Sequence, residues 1–290
     1  MSDKSEHLSG VPDNFILISD LIKLKVITTV ERLIYRALVL LTFNTGIIYA
    51  QIGGISNSKV VVPGTETVGV GVFEFEPAFE FFSPKSEWDS KSNLVTFDSS
   101  STESSYGFRF TTGVRENLEV GMIIPGDVSS LNFGLKWLFW SLGDLSVALQ
   151  SGLNFDALDE NRHKDAGIAK IFGYGLVLTY EPENKISIDS DISLSFYTAE
   201  VDDQSVGHSG SFNIGVSYGF LENFHSVAEY NFNWITFENR NFDSKIGGGL
   251  LGFTFGASPS TLVIMGFQYD VHGTNNPKGV AYIAAFTFMI

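Results

Sequence analysis

Ser211-Phe212-Asn213-Ile214-Gly215-Val216-Ser217-Tyr218-Gly219-Phe220 places a large apolar residue at every even position and a small or polar one at every odd position. A period of two marks a β-strand whose two faces meet different surroundings. Ser130–Phe139 repeats the pattern, with Leu131, Phe133, Leu135, Trp137 and Phe139 opposed by Ser130, Asn132, Gly134 and Lys136. A soluble sandwich also alternates, so length has to decide. These runs reach about 12–15 residues, whereas soluble strands average about 5–6 and a tilted membrane strand needs about 9–11.

Working outward, the same reading predicts strands near 68–82, 104–114, 118–125, 130–140, 144–155 and 167–181. Six more follow near 185–199, 206–220, 224–238, 242–257, 260–272 and 278–290. About twelve strands is an even number, as an up-and-down membrane barrel requires. The even-numbered connections are tight turns: Arg115–Asn117, Ser141–Gly143, Glu181–Lys185, Leu221–Phe224 and Ala257–Ser260. The odd-numbered ones, 83–103, Asp156–Ala166, Glu200–Ser205 and Asp270–Lys278, are mostly longer and polar. Short periplasmic turns and long extracellular loops sort in this way in an outer-membrane barrel. Aromatics near segment ends, among them Trp137, Phe139, Tyr180, Phe196, Phe220, Phe224, Trp234 and Tyr282, fall where interfacial girdles belong. The final strand carries Tyr282, Phe286, Phe288 and Ile290 on one face, similar to the C-terminal strand by which such barrels are recognised for assembly.

Composition agrees. The 290 residues include 29 Gly, 26 Phe and only 8 Pro, with 44% hydrophobic and 18% charged side chains, which suits a membrane barrel better than a soluble enzyme. A net charge of −15 argues against a nucleic-acid partner, whose phosphates need Lys and Arg. With no Cys, disulfides and thiolate metal or redox sites are excluded.

Residues 1–50 read as a leader. Lys25, Arg32 and Arg36 precede the apolar stretch Ala37–Phe43, which runs on to Ile47-Ile48-Tyr49-Ala50, a basic region, apolar region and small-residue exit with a cut expected after Ala50. The alternative is a membrane anchor, disfavoured by Asn44, Gly46, Gln51, Gly53 and Gly54 in the same stretch. Residues 51–67 lack a strand pattern and are expected either to enter the barrel as a plug or to hang in the periplasm; the barrel itself is expected over 68–290.

If the apolar face meets lipid, parity assigns the charges of the other face to the lumen. Phe73, Phe75, Phe79 and Phe81 facing out send Glu74, Glu76 and Glu80 inward, and the same rule sends in Arg109, Glu119, Lys136, Asp189, Asp191 and Glu229. Such a set either forms an internal salt-bridge lattice or selects cations in a pore that twelve strands would keep narrow.

Motifs of catalysis are missing: no Walker loop, GxSxG, HExxH or dinucleotide fingerprint occurs. His225 and Ser226, adjacent on a strand, point to opposite faces and form no nucleophile pair. The loop Asp156–Asp165 offers carboxylates without the spacing of a calcium loop and reads as solvated. No catalytic residue, metal or cofactor is therefore expected.

Phe108-Arg109-Phe110, Gly113–Gly121 with its Arg115-Glu116-Asn117 turn, Pro125-Gly126-Asp127 and Gly134-Leu135-Lys136-Trp137 stand in an order of their own. Over these 30 or so residues the chain resembles the outer-membrane barrel family named for transport in the meta-pathway of phenol degradation. That resemblance implies uptake of small hydrophobic or aromatic compounds, with Arg109 and Lys136 at the family's basic positions. The expectation is an all-β, up-and-down antiparallel transmembrane barrel of the Gram-negative outer membrane, a monomer acting as a passive channel or transporter. Its partners would be outer-membrane lipids, a small-molecule solute and the barrel-assembly machinery. A non-conducting barrel acting through its loops, and a barrel lipid hydrolase, are the alternatives.

Overall fold

The computed structural model describes residues 52–96, 102–128, 130–156, 171–183, 185–197, 200–201 and 204–290. The leader reading, and most of the carboxylate-bearing loop after Asp156, lie outside the described residues.

Twelve long strands follow in chain order. They are β1 (Phe73–Trp88), β2 (Glu103–Arg115), β3 (Leu118–Pro125), β4 (Ser130–Leu142), β5 (Leu145–Asp156) and β6 (Ile171–Glu183). Then come β7 (Ile186–Tyr197), β8 (Gln204–Leu221), β9 (Phe224–Phe237), β10 (Ser244–Ser258), β11 (Thr261–Thr274) and β12 (Asn276–Met289). Each pairs antiparallel with its neighbours in the chain. β12 pairs with β1, which closes the sheet and leaves no unpaired edge between the long strands. At the closing seam Phe73 and Ile290 exchange two backbone hydrogen bonds, of 3.0 and 2.8 Å. Two short strands, Leu94–Thr96 on β1 and Glu200–Val201 on β8, extend the wall.

The alternation of Ser211–Phe220 becomes an inverted burial pattern. Phe212, Ile214, Val216, Tyr218 and Phe220 are exposed, while Asn213, Gly215 and Ser217 are buried. In water this arrangement would be penalised on both faces; against lipid the outward apolar side chains are in their preferred solvent. Leu251, at the middle of β10, is 66% exposed on this outer face. Aromatics pack along it in strand-to-strand chains such as Tyr218–Phe220–Phe224–Phe253. The closed antiparallel barrel with its apolar belt is the fold of a Gram-negative outer-membrane protein.

Two sequence expectations need correction. β1 begins at Phe73 rather than near 68, because Val68–Val72 belong to the segment that precedes the wall; Gly71, at φ 78°, makes the turn into it. Asp270–Lys278 is no long polar loop: β11 and β12 run on to Thr274 and from Asn276, and the chain reverses on Asn275 at φ 48°. Asn tolerates that left-handed backbone, and its side-chain amide donates to Asp243 O at 2.8 Å, fixing the hairpin to the neighbouring loop.

Candidate functional site

Inward-facing positions along β2–β4 are unusually small. Gly113, Gly121 and Gly134 each face the lumen, and at each a Cβ would collide with backbone carbonyl oxygens of the N-terminal segment: Val68 and Gly69, Gly54, and Gly53 respectively. Residues 52–68 therefore run along the inner wall in backbone contact with it, and Gly69–Val72 lead from them into β1.

Because the segment has no ladder of its own, its polar groups must find partners on the wall. Glu119 accepts from Ser56 N–H at 2.7 Å and from Val68 N–H at 2.8 Å. Arg109 donates to Ile55 O at 3.0 Å, and Thr111 Oγ1 to Gly54 O at 2.7 Å. Lys136 Nζ donates to Ser56 O at 3.0 Å and Gly64 O at 2.9 Å, while standing 3.3 Å from Glu119 Oε1. Across the lumen, Asp189 pairs with buried Lys59 and accepts from Ser58 Oγ and Thr179 Oγ1. Thr179 Oγ1 in turn accepts from Thr65 N–H at 2.9 Å. Glu229 Oε1 accepts from Val60 N–H at 2.8 Å and Val61 N–H at 3.1 Å.

The remaining side is apolar. Val60 packs with Val227, Leu250, Ile264 and Ala285, a patch of the inner wall on β9–β12. Gly252 and Gly266 leave it room, since a Cβ at either would come within 2.9 Å of a Val60 methyl.

Of the nine charges that parity sends inward, Arg109, Glu119, Lys136, Asp189 and Glu229 contact this segment directly. Glu76 is held by Arg109 at 2.7 Å and by Thr287 Oγ1, with Glu74 4.0 Å from Arg109. Asp191 accepts from Asn213 Nδ2 at 2.9 Å above the segment. Glu80, at the middle of β1, is exposed and has Ser105 as its hydrogen-bond partner, with Asp270 nearby. Among the described residues, the carboxylates thus form no ring around an open bore. Lys59 and the three glycines were missed by the parity argument, which followed charge; small residues recurring at inward positions were the available signal.

Two cavities flank the segment. The upper one, toward the loops, has a volume of about 510 Å³, and the lower one, toward the turns, about 460 Å³. Asn57 lines both and so stands in the partition between them. In the lower cavity, Glu66 loses bulk solvent, which pushes its carboxyl above the ordinary range; Glu181 and Asp189 push the same way, against Lys136 and Lys59.

On histidine chemistry, His225 lines the lower cavity, whereas Ser226 lies on the other face and approaches Tyr218 O at 3.5 Å. His272 pairs with the Tyr230 hydroxyl at 3.0 Å.

No protein-family profile matches the chain, and no curated protein matches it in sequence. Solved structures do match in fold. The COG4313 outer membrane channel from Pseudomonas putida F1 aligns over 78% of this chain and 98% of its own, at a TM-score of 0.62 and 13% identity. The NanC porin aligns over 74% and 98%, at a TM-score of 0.50 and 9% identity.

Proposed function

We propose that the protein is a narrow outer-membrane channel for small solutes, constricted by its own N-terminal segment. The observation that carries this reading is the pair of polar cavities that enter the barrel from opposite ends and meet at Asn57. The fold of two solved channels supports the reading. In this view the inward charges chiefly hold the segment, and solutes pass beside it or when it shifts. The finer suggestion of the phenol-pathway resemblance, a hydrophobic or aromatic solute, is supported by Ile52, Ile55 and Val61 at the floor of the upper cavity, not by its walls.

A second reading, a non-conducting barrel acting through its loops, is favoured by the buried pairs Lys59–Asp189, Lys136–Glu119 and Arg109–Glu76. Single-channel recording separates the two. We expect small cation-preferring steps from the wild type and larger ones from a variant lacking residues 52–66. A folded barrel silent in both forms would overturn the channel reading and leave the second.

A further inference from the structure

The upper cavity differs chemically from the lattice beneath it. At about 510 Å³ it falls within the ~300–1,000 Å³ typical of small-molecule sites. Its walls are hydroxyl and amide: Ser193 and Ser211 oxygens lie 2.7 Å apart, and Tyr197 Oη lies 2.7 Å from Ser209 Oγ. Its floor is apolar, made by Ile52, Ile55, Val61 and Pro63 of the N-terminal segment.

Two side chains on this surface are left incomplete. Asn231 is 5% exposed and lines the cavity, yet neither its Nδ2 nor its Oδ1 has a hydrogen-bond partner in the protein. Gln150, 4% exposed, lines the same cavity with Oε1 unpartnered. Native interiors rarely leave such groups unmatched, and each specific case asks for a reason. Here one donor and two acceptors, on two residues lining the same cavity, lack a partner in the protein.

The charge of the lining narrows the class. Among the described residues, Asp191 is the ionisable carboxylate of the cavity wall, and no Lys, Arg or His lines it. Anions are therefore disfavoured, and a purely apolar solute would strip water from the amides without replacing its hydrogen bonds. A sugar ring fits both halves, with hydroxyls at its rim for the walls and C–H groups on its faces for the floor. We propose that the upper cavity binds a neutral polyhydroxylated solute of mono- or disaccharide size, with Asn231 and Gln150 as its hydrogen-bonding residues. The proposal rests on the channel reading, naming the solute class of the vestibule.

The test is calorimetric titration of the full detergent-solubilised barrel with maltose, N-acetylglucosamine, gluconate and phenol. Neutral sugars should bind in the millimolar range, gluconate at least about tenfold more weakly, and Asn231→Leu and Gln150→Leu should each weaken maltose about tenfold. Heat-modifiable mobility reports folding of each variant, and Asn231→Ala supplies the same readout should the leucine misfold the barrel. Binding of phenol but of neither sugar, or sugar binding unmoved by these substitutions, would overturn the proposal. Ion conductance without sugar binding would overturn it while sparing the channel reading; sugar binding to a silent barrel would do the reverse.

Discussion

Ser56 and Glu119, 63 positions apart in the chain, are joined by a backbone N–H donating to Oε1 at 2.7 Å and by the serine hydroxyl 2.8 Å from Oε2. The same carboxylate accepts from Val68 N–H, so one wall residue holds both ends of the stretch between them. Glu119→Gln keeps the shape and removes the charge that Lys136 needs. Breaking one partner of a buried pair costs roughly 3–5 kcal/mol. We expect a fall in unfolding stability of that order in urea, together with larger conductance steps in a planar bilayer.

Gly134→Val puts a side chain where Gly53 O now lies. The three atoms nearest that position all belong to the segment, so the variant should retain heat-modifiable mobility while the segment is displaced. The check is thiol labelling at an added Asn57→Cys: faster than in the same cysteine variant with Gly134 intact.

Val60 is the apolar anchor of the segment, and Val60→Asp would bury a carboxylate among Val227, Leu250 and Ile264. A charge in such a place is expelled rather than accommodated. Limited proteolysis should then cut within residues 52–68 faster than in the wild type.

Glu66 supplies the pH dependence. Its raised carboxyl pKa means that it protonates at a higher pH than an ordinary glutamate, so its negative charge is lost earlier on acidification. Cation preference should begin to fall above the ordinary glutamate range, and Glu66→Gln should remove that step from reversal-potential measurements.

The outer face gives the simplest energetic test. Leu251→Arg sets a cation against lipid near the middle of a strand, at a cost of about 2–4 kcal/mol. Equilibrium unfolding from liposomes should show that loss.

The barrel wall was legible because its signal is repeated: each strand states the same period of two, and Phe212 through Phe220 alone give its sense. Strand ends were less so, as at Asn275, where a polar residue that suits a loop instead makes a hairpin turn. The inward direction of Arg109, Glu119 and Lys136 followed from parity, but their partners did not. Ser56, Gly64 and Val68 offer mainly backbone to those charges, and backbone groups leave no mark in a sequence. The stretch Phe108 to Trp137 is also the wall that Gly53, Gly54 and Ser56 touch.

The segment meets the inner wall from β2 round to β11, at Arg109, Lys136, Asp189, Glu229 and Gly266 among others. Its hydrogen bonds and its valine contact are all met at one circumference only. A sheet closed with fewer strands would leave no room for it, and one closed with more would leave its backbone unmatched. The chain thus carries its own gauge: the part that crosses the bore matches the circumference that twelve strands enclose.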